Sequence, residues 1–326
     1  MVSKSPLCTC NKDFKNGCEC LITVLLAVFN GEKYLKQQID SLLRQTVTDI
    51  KIVIRDDGSR DRSPQIIDDY CNKYPEKISK LVGEPTGSSK QNFAELLNKV
   101  DSDYIMFCDQ DDVWLPEKAE KTLNIMREFE GENCATPVLV HSDLKVVDQD
   151  LNVISDSFFE FQRLNQDNIT LPKLLVQNYV TGCTVMINRA LKQACGKIPK
   201  ECIMHDWWLA LAAQLFGKII CIQEPTMLYR QHSGNQVGAK ASYGIALIKR
   251  KLQTFGEVKK NYNATYTQAA ALLKCYGEYL DKEKCEILRV YSKMQNMKKF
   301  KKIRTMQKYG FKKGTRLRVI GQYFLM

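Results

Sequence analysis

The first half of the chain is divided into apolar blocks with polar stretches between them. Leu21 to Val28 is an aliphatic, β-branched run ended by Asn30-Gly31, which predicts a buried strand. Lys33 to Arg44 places Tyr34, Leu35, Ile39, Leu42 and Leu43 on one helical stripe. Ile50 to Ile54 repeats the strand pattern and ends at Asp56-Asp57-Gly58-Ser59. Ser63-Pro64 pairs a capping residue with a proline suited to a first turn, opening a helix to about Lys73. A short strand at Ile78 to Val82, a helix at Gln91 to Val100 and a strand at Tyr104 to Cys108 continue the series. This β-α-β-α order implies a parallel, doubly wound sheet, in which ligands sit at the carboxyl ends of the strands. The loops after residues 28, 54 and 108 then share one edge, bringing Asp56, Asp57, Asp109, Asp111 and Asp112 into one crevice.

Beyond the last of these strands the pattern predicts a helix over Glu117 to Glu130. Strand segments follow at Val138 to His141, Leu144 to Asp148 and Thr181 to Asn188, then a helix over His205 to Phe216 and a short strand at Ile219 to Cys221. After Tyr229-Arg230-Gln231-His232 the character changes to helical stretches at about Tyr243 to Phe255 and Thr267 to Tyr279. The expected organisation is a residue 1–20 extension, a catalytic α/β domain over 21–240 and a helical basic region over 241–326.

Charge sharpens that division. The formal net charge is +11, and the stretch from Tyr291 to Met326 holds eleven Lys or Arg and no acidic residue, so the remainder is close to neutral. Met297, Phe300, Ile303, Met306, Tyr309 and Phe311 interleave with those cations and read as an amphipathic basic helix for an anionic membrane surface. A solvated charged helix is the plain alternative, and the lack of an accompanying motif argues against nucleic acid. No stretch approaches the roughly 18 apolar residues of a membrane span. The polar, cysteine-rich start does not read as a signal peptide. Thirteen cysteines, an odd number, fit a reducing cytoplasm. Cys8, Cys10, Cys18 and Cys20 form two C-x-C pairs that can bind zinc, although an extension with idle thiols is the simpler reading.

The chemistry-bearing segments are open to two readings each. Asp109-Gln110-Asp111-Asp112 crowds three carboxylates at the end of a core strand, where like charges and burial oppose ionisation. A hard cation, Mg²⁺ or Mn²⁺, relieves that strain and leaves coordination positions for substrate phosphates; a solvated loop is the alternative. Asp56-Asp57-Gly58-Ser59 is either an ordinary turn or a carboxylate that accepts from a nucleobase or ribose. In Met204-His205-Asp206-Trp207-Trp208, Asp206 is either a helix cap or a general base beside an aromatic wall suited to sugar rings. His232 is either solvated or bound to metal or diphosphate.

In this order, Ala27-Val28-Phe29-Asn30-Gly31, Ser41 to Thr46, Arg55 to Asp61, Asp109 to Asp112 and His205-Asp206 resemble the family 2 inverting glycosyltransferases, over about residues 21–235. Asp109 to Trp114 and Tyr229 to His232 look most like the bacterial rhamnosyltransferase-like subgroup. The resemblance implies a GT-A fold: a Rossmann-like, doubly wound mixed sheet, here with the C-terminal helical basic extension. It implies a nucleoside-diphosphate sugar donor, dTDP-L-rhamnose or a UDP-hexose, and a saccharide or lipid-linked acceptor at the inner face of the plasma membrane. Asp57 would contact the pyrimidine, with Ala27 and Phe29 lining the base site through backbone groups. Asp109, Asp111 and Asp112 would hold the sugar-nucleotide and its metal, with Asp111 closest to the cation. Asp206 would be the catalytic base, and His232 would touch metal or diphosphate. Two departures stand out: His205 replaces the glutamate often found before the catalytic aspartate, and the cysteine-rich extension is not a family feature. A metal-dependent nucleotidyltransferase or phosphatase and a non-catalytic sugar-binding module are the rival classes.

Overall fold

The computed structural model describes residues 22–131, 135–167, 169–232 and 255–325. The four N-terminal cysteines, the expected helix at Tyr243 to Phe255 up to residue 254, and the expected boundary near residue 240 lie outside the described residues.

The Rossmann-like half forms as the pattern requires. Strands β1 (Ile22–Val28), β2 (Ile50–Asp56), β3 (Ile78–Lys80) and β4 (Tyr104–Cys108) are mutually parallel in the order β3-β2-β1-β4. They are joined by helices α1 (Leu35–Leu43), α2 (Ser63–Lys73) and α3 (Ser89–Lys99). Every residue of β1 is buried, as a strand covered on both faces must be. Helices α1 and α2 pack with α4 (Lys118–Glu130) on one face, while Phe93, Leu96 and Leu97 of α3 pack on the other. The chain therefore changes faces between β1 and β4, and a crevice opens at their carboxyl ends.

Past β4 the sheet becomes mixed. After the two-residue β5 (Val113–Trp114) come β6 (Val138–Val147), β7 (Val153–Ser155), β8 (Met186–Asn188) and β9 (Lys218–Arg230). Strand β8 runs antiparallel to both β4 and β6, and β9 lies parallel to β6 and antiparallel to β5. The two segments expected around residues 138–148 are one strand, because the polar His141, Ser142 and Asp143 between them are also buried. The short strand expected at Ile219 to Cys221 is part of a 13-residue strand. Its side-by-side start with β6 needs Gly217, where a Cβ would stand 1.8 Å from the Pro137 carbonyl oxygen. The helices α5 (Phe158–Gln162), α6 (Leu171–Val176) and α7 (Arg189–Cys195) are too short to leave a clear period; α8 (His205–Phe216) forms as expected.

The C-terminal helices α9 (Phe255–Tyr276), α10 (Lys282–Lys293), α11 (Lys299–Tyr309) and α12 (Arg316–Leu325) complete the fold. They do not stand apart from the catalytic part. Tyr266, Leu272, Leu288, Tyr291, Met306 and Phe311 belong to the same apolar cluster as Leu174, Trp208 and Leu211 of α6 and α8. This corrects the amphipathic reading of residues 297–311: Met306 and Phe311 are fully buried, Met297 and Tyr309 pack against the core, and of that stripe Phe300 stands out at 86% exposed.

Candidate active site

The loops after β1 and β2 are stapled together by side chains acting on backbone amides. Ser59 Oγ accepts from Asn30 N at 2.7 Å, Ser63 Oγ from Gly31 N at 2.8 Å and Asp61 from Glu32 N at 2.9 Å. Asn30 returns a contact by accepting from Arg60 N, and it holds a positive φ of 50°, a conformation asparagine tolerates better than most residues. The β4 loop joins through Gln110, whose amide exchanges two hydrogen bonds with the Phe29 backbone, at 2.6 and 2.8 Å.

Above these loops lies a cavity of about 720 Å³. Ala27, Phe29, Asp57, Asp109, Asp111 and Asp206 all line it, so the sequence candidates from four separate segments converge. Asp57 is buried and already well served. It accepts from Arg55 Nη1 at 3.0 Å, Thr86 N at 2.7 Å, Thr86 Oγ1 at 2.9 Å and Ser88 N at 3.2 Å. Burial opposes its charge, but the bonds from Thr86 and Arg55 outweigh that and hold its carboxyl below the usual range. Its immediate structural effect is to fix the 86–88 loop at the cavity edge. The backbone N–H and carbonyl of Phe29 both face Gln110, so of the two residues expected to offer backbone groups, Ala27 is the one these bonds leave unengaged.

The three aspartates after β4 separate in space. Asp109 sits in the cavity wall with its carboxyl held above the usual range by burial, then by the charges of Asp111 and Asp206. Asp111 accepts or shares a proton with His232 Nε2 at 2.8 Å, and the His232 ring lies 4.9 Å from that of Tyr34. Asp112 differs: it is fully buried and absent from the cavity lining. One of its oxygens accepts from Arg230 N at 3.0 Å, and the other finds no hydrogen-bond partner among the described residues. Burial, and then Asp111 and Asp109, push its carboxyl far up. Its oxygens converge with those of Asp109 and with Cys183 Sγ, ligand atoms lying within 4.8 Å of one another. The expected metal residues Asp109, Asp111 and His232 share only Asp109 with this group; carboxylate oxygens are the donors that suit Mg²⁺ or Mn²⁺, whereas a thiol suits softer ions.

Asp206 opens α8 and is buried at the cavity floor. It accepts from Trp207 N at 2.8 Å and from Asn178 Nδ2 at 3.0 Å. Burial pushes its carboxyl up to about 6, against those hydrogen bonds. The Gly182 amide and its own also favour its charged form, and the residue lines the cavity, where a substrate hydroxyl can approach it. His205 lines the cavity and packs against aromatic rings, 4.2 Å from that of Phe93 and 5.2 Å from that of Phe107, and burial lowers it to about 3. It is therefore a neutral packing element where the resemblance led one to look for a charged neighbour of the base.

Several organising residues escaped the sequence reading. Arg230 is buried and its guanidinium ties the Asp111 carbonyl, the Gln149 carbonyl and Gln37 Oε1 together at 2.6–2.8 Å, while stacking 4.4 Å from the Tyr34 ring centre. Gln110 was visible only as the spacer in its motif. Asn178 lines the cavity from a segment that carries no recognisable signal, and Lys313 and Arg318 line it from the basic stretch, whose charge pattern pointed outward rather than to the site.

Residues 23–194, just over half of the chain, match the family described as Glycosyl transferase family 2. The chain belongs to that family. The family 2 chain is 30% identical over 266 residues to the dTDP-rhamnosyl transferase RfbG of Shigella flexneri, covering 76% of itself and 84% of that protein. Among solved structures it is similar to S. aureus TarS 1-349 in complex with UDP-GlcNAc, with TM-score 0.54, 18% identity, and coverage of 89% of this chain and 80% of that one. It spans 43% of the longer TarS chain. A mannosyltransferase from Pyrobaculum calidifontis, PcManGT, in complex with GDP-Man and Mn2+, aligns with TM-score 0.50 and 13% identity over 88% of this chain and 84% of that one. These likenesses establish the GT-A fold expected from the resemblance, mixed sheet and C-terminal helices included. Among the described residues, no helix is long and apolar enough to cross a membrane.

Proposed function

We propose that this family 2 glycosyltransferase is an inverting, metal-dependent enzyme that moves a sugar from a nucleoside diphosphate to a hydroxyl of a saccharide or lipid-linked acceptor. The observation that carries the reading is the presence of Asp206, at the start of α8, in the same cavity as Asp109 and Asp111. A carboxylate raised to about 6 is ionised at neutral pH and still basic enough to take a proton.

In the mechanism, Ala27 and the Asp57-anchored loop flank the nucleobase. Asp109 and Asp111 would hold the divalent cation, with His232 orienting Asp111 through its hydrogen bond. When bound, the cation supplies Lewis-acid stabilisation of the negative charge on the departing diphosphate. Asp206 takes the proton of the acceptor hydroxyl; the acceptor oxygen bonds to the anomeric carbon as its bond to the diphosphate oxygen breaks on the opposite face. The configuration inverts. Asn178 and the Trp207 amide keep Asp206 pointed at the acceptor.

The likeness to RfbG favours dTDP-L-rhamnose as donor, and the likeness to TarS keeps a UDP-hexose as the alternative. The cytoplasmic face of a membrane is the expected site of action. Phe300 is exposed among Lys298, Lys299 and Lys301 in the sequence, and Ile320 and Phe324 are exposed on α12, features suited to an anionic lipid surface. The test is a panel of sugar-nucleotides with Mn²⁺, read first as thermal stabilisation and then as nucleotide release, with the product anomer assigned by NMR. Retention of anomeric configuration, or metal-independent turnover, would overturn the respective part of the proposal.

A further inference from the structure

The cavity is lined by both acidic and cationic side chains. Asp109, Asp111 and Asp206 are among the acidic ones. Lys313 and Arg318 are cationic, and both come from the basic C-terminal stretch, outside the residues that match the family. The Arg318 guanidinium is anchored by donating to the Gln162 carbonyl at 2.7 Å, and Lys313 Nζ lies 4.7 Å from the Tyr262 ring centre. Gly314 lies between them in sequence, donating to Gln177 Oε1 at 3.5 Å; a Cβ there would stand 3.4 Å from the Tyr179 hydroxyl.

Tyr179 supplies the independent observation. It lines the same cavity and is 2% exposed, yet its hydroxyl has no hydrogen-bond partner among the described residues. A buried hydroxyl left unsatisfied costs about 1–3 kcal/mol, so its place in a cavity wall points to a ligand acceptor atom. A guanidinium and an ammonium can only donate, and the phenol beside them is free to do so, which makes an oxyanion the matching ligand.

Position decides which substrate carries that anion. Asn178 holds Asp206, and the next residue in the chain is Tyr179. Tyr179 is thus held next to the residue that positions the proposed base, in the cavity that Lys313 and Arg318 also line; on the transferase reading the β4 aspartates take the donor's diphosphate, which leaves the acceptor as the substrate for this anion site. We propose that Lys313, Arg318 and the Tyr179 hydroxyl form a phosphate-recognising subsite for the acceptor, so that the sugar is delivered to a hydroxyl on a phosphate ester. This rests on the transferase reading above. The phosphate can belong to a lipid-linked diphosphate or to a phosphodiester polymer.

The experiment is calorimetric titration of the full chain in EDTA with farnesyl diphosphate in one arm and sn-glycerol 3-phosphate in the other. At least one probe binds, and the preferred one identifies the source. Arg318→Gln combined with Lys313→Gln weakens that binding by about tenfold or more, while Arg318→Lys stays within about threefold. Tyr179→Phe, which keeps the packing, weakens it by about threefold to tenfold. Binding of neither probe, or equal binding by wild type and the double variant, overturns the subsite. Should the double variant melt early, Tyr179→Phe and Arg318→Lys carry the decision: equal loss in both, or loss in neither, refutes it. Mn²⁺-dependent binding of the sugar-nucleotide panel is measured separately. Its failure removes the transferase reading, whereas phosphate binding lost with donor binding intact removes only the subsite.

Discussion

Replacing Asp206 by asparagine tests the base most directly. The side chain is nearly isosteric, and the Asp206 carboxylate accepts from Trp207 N and Asn178 Nδ2. Asparagine keeps one carbonyl acceptor for the helix amide, and its own amide then opposes that of Asn178. The fold survives, since the contact with Trp207 N in the first turn of α8 is kept and the buried charge that opposed folding is gone. What is lost is the proton acceptor, and general-base contributions run to about 10²–10⁴-fold, equivalent to about 2.7–5.4 kcal/mol of barrier. The wild-type pH profile carries the sign. Burial raises Asp206 to about 6, and the base works ionised, so kcat is full above that pH and falls about tenfold per unit below it. A cation on Asp109 and Asp111 draws the inflection somewhat lower. The assay is release of nucleoside diphosphate under saturating donor and acceptor from pH 5 to 9, with donor affinity measured alongside. The variant is expected to lose at least about 100-fold in kcat and the acidic limb together, with donor affinity kept within about threefold. A variant within about fivefold of wild type, or one that keeps the acidic limb, refutes Asp206 as the base.

Asp111→Asn is expected to weaken Mn²⁺-dependent donor binding by about tenfold or more, and unchanged affinity in a metal titration removes it from the donor set. Gln110→Ala deletes both bonds to the Phe29 backbone, for about 1–3 kcal/mol in urea unfolding and a raised donor KM; an unchanged midpoint and KM would contradict the clamp. Arg230→Met leaves the Asp111 carbonyl and Gln37 without their donor and costs about 3 kcal/mol or more in the same experiment. Truncation before Tyr291 removes the buried Tyr291, Met294, Met306 and Phe311. It is expected to cost about 5 kcal/mol or more and to yield insoluble or molten protein, so liposome flotation is better done with Phe300→Ser and Phe324→Ser in the full chain.

The legible parts of the fold were those where one physical requirement dominates. Strands β1 and β4 are covered on both faces, so they show as uninterrupted apolar runs, and the α1 stripe follows from its single buried face. Strand β6 was broken in two because Ser142 and Asp143 are buried through specific partners, Thr226 and Ser157, that no local pattern displays. Strand β9 was underestimated because it pairs on both sides while exposing much of its surface. In the site, the carboxylates announced themselves by charge density at strand ends. The groups that position them did not: Arg230 is 119 residues from Asp111 in sequence, and a lone arginine or asparagine carries no periodicity. The burial of Asp112 was also invisible, since one of three adjacent aspartates had to turn inward and the motif does not say which.

The placement of the basic tail changes what its charge is for. Read along the sequence, eleven cations without one acid describe a surface for something outside the molecule. In the fold, the same stretch divides its work. Met306 and Phe311 join the apolar cluster to which α8 also contributes, Phe300 and Phe324 face outward, and Lys313 and Arg318 reach the cavity that holds Asp206. A segment that shares a core cluster with the helix carrying the proposed base, and lines the same cavity, cannot be removed without disturbing both. On the two proposals made above, acceptor recognition and membrane approach share one structural element. The proposed phosphate subsite ties the two together, because Lys313 and Arg318 belong to the same basic stretch that carries the exposed Phe300 and line the same cavity as Asp206.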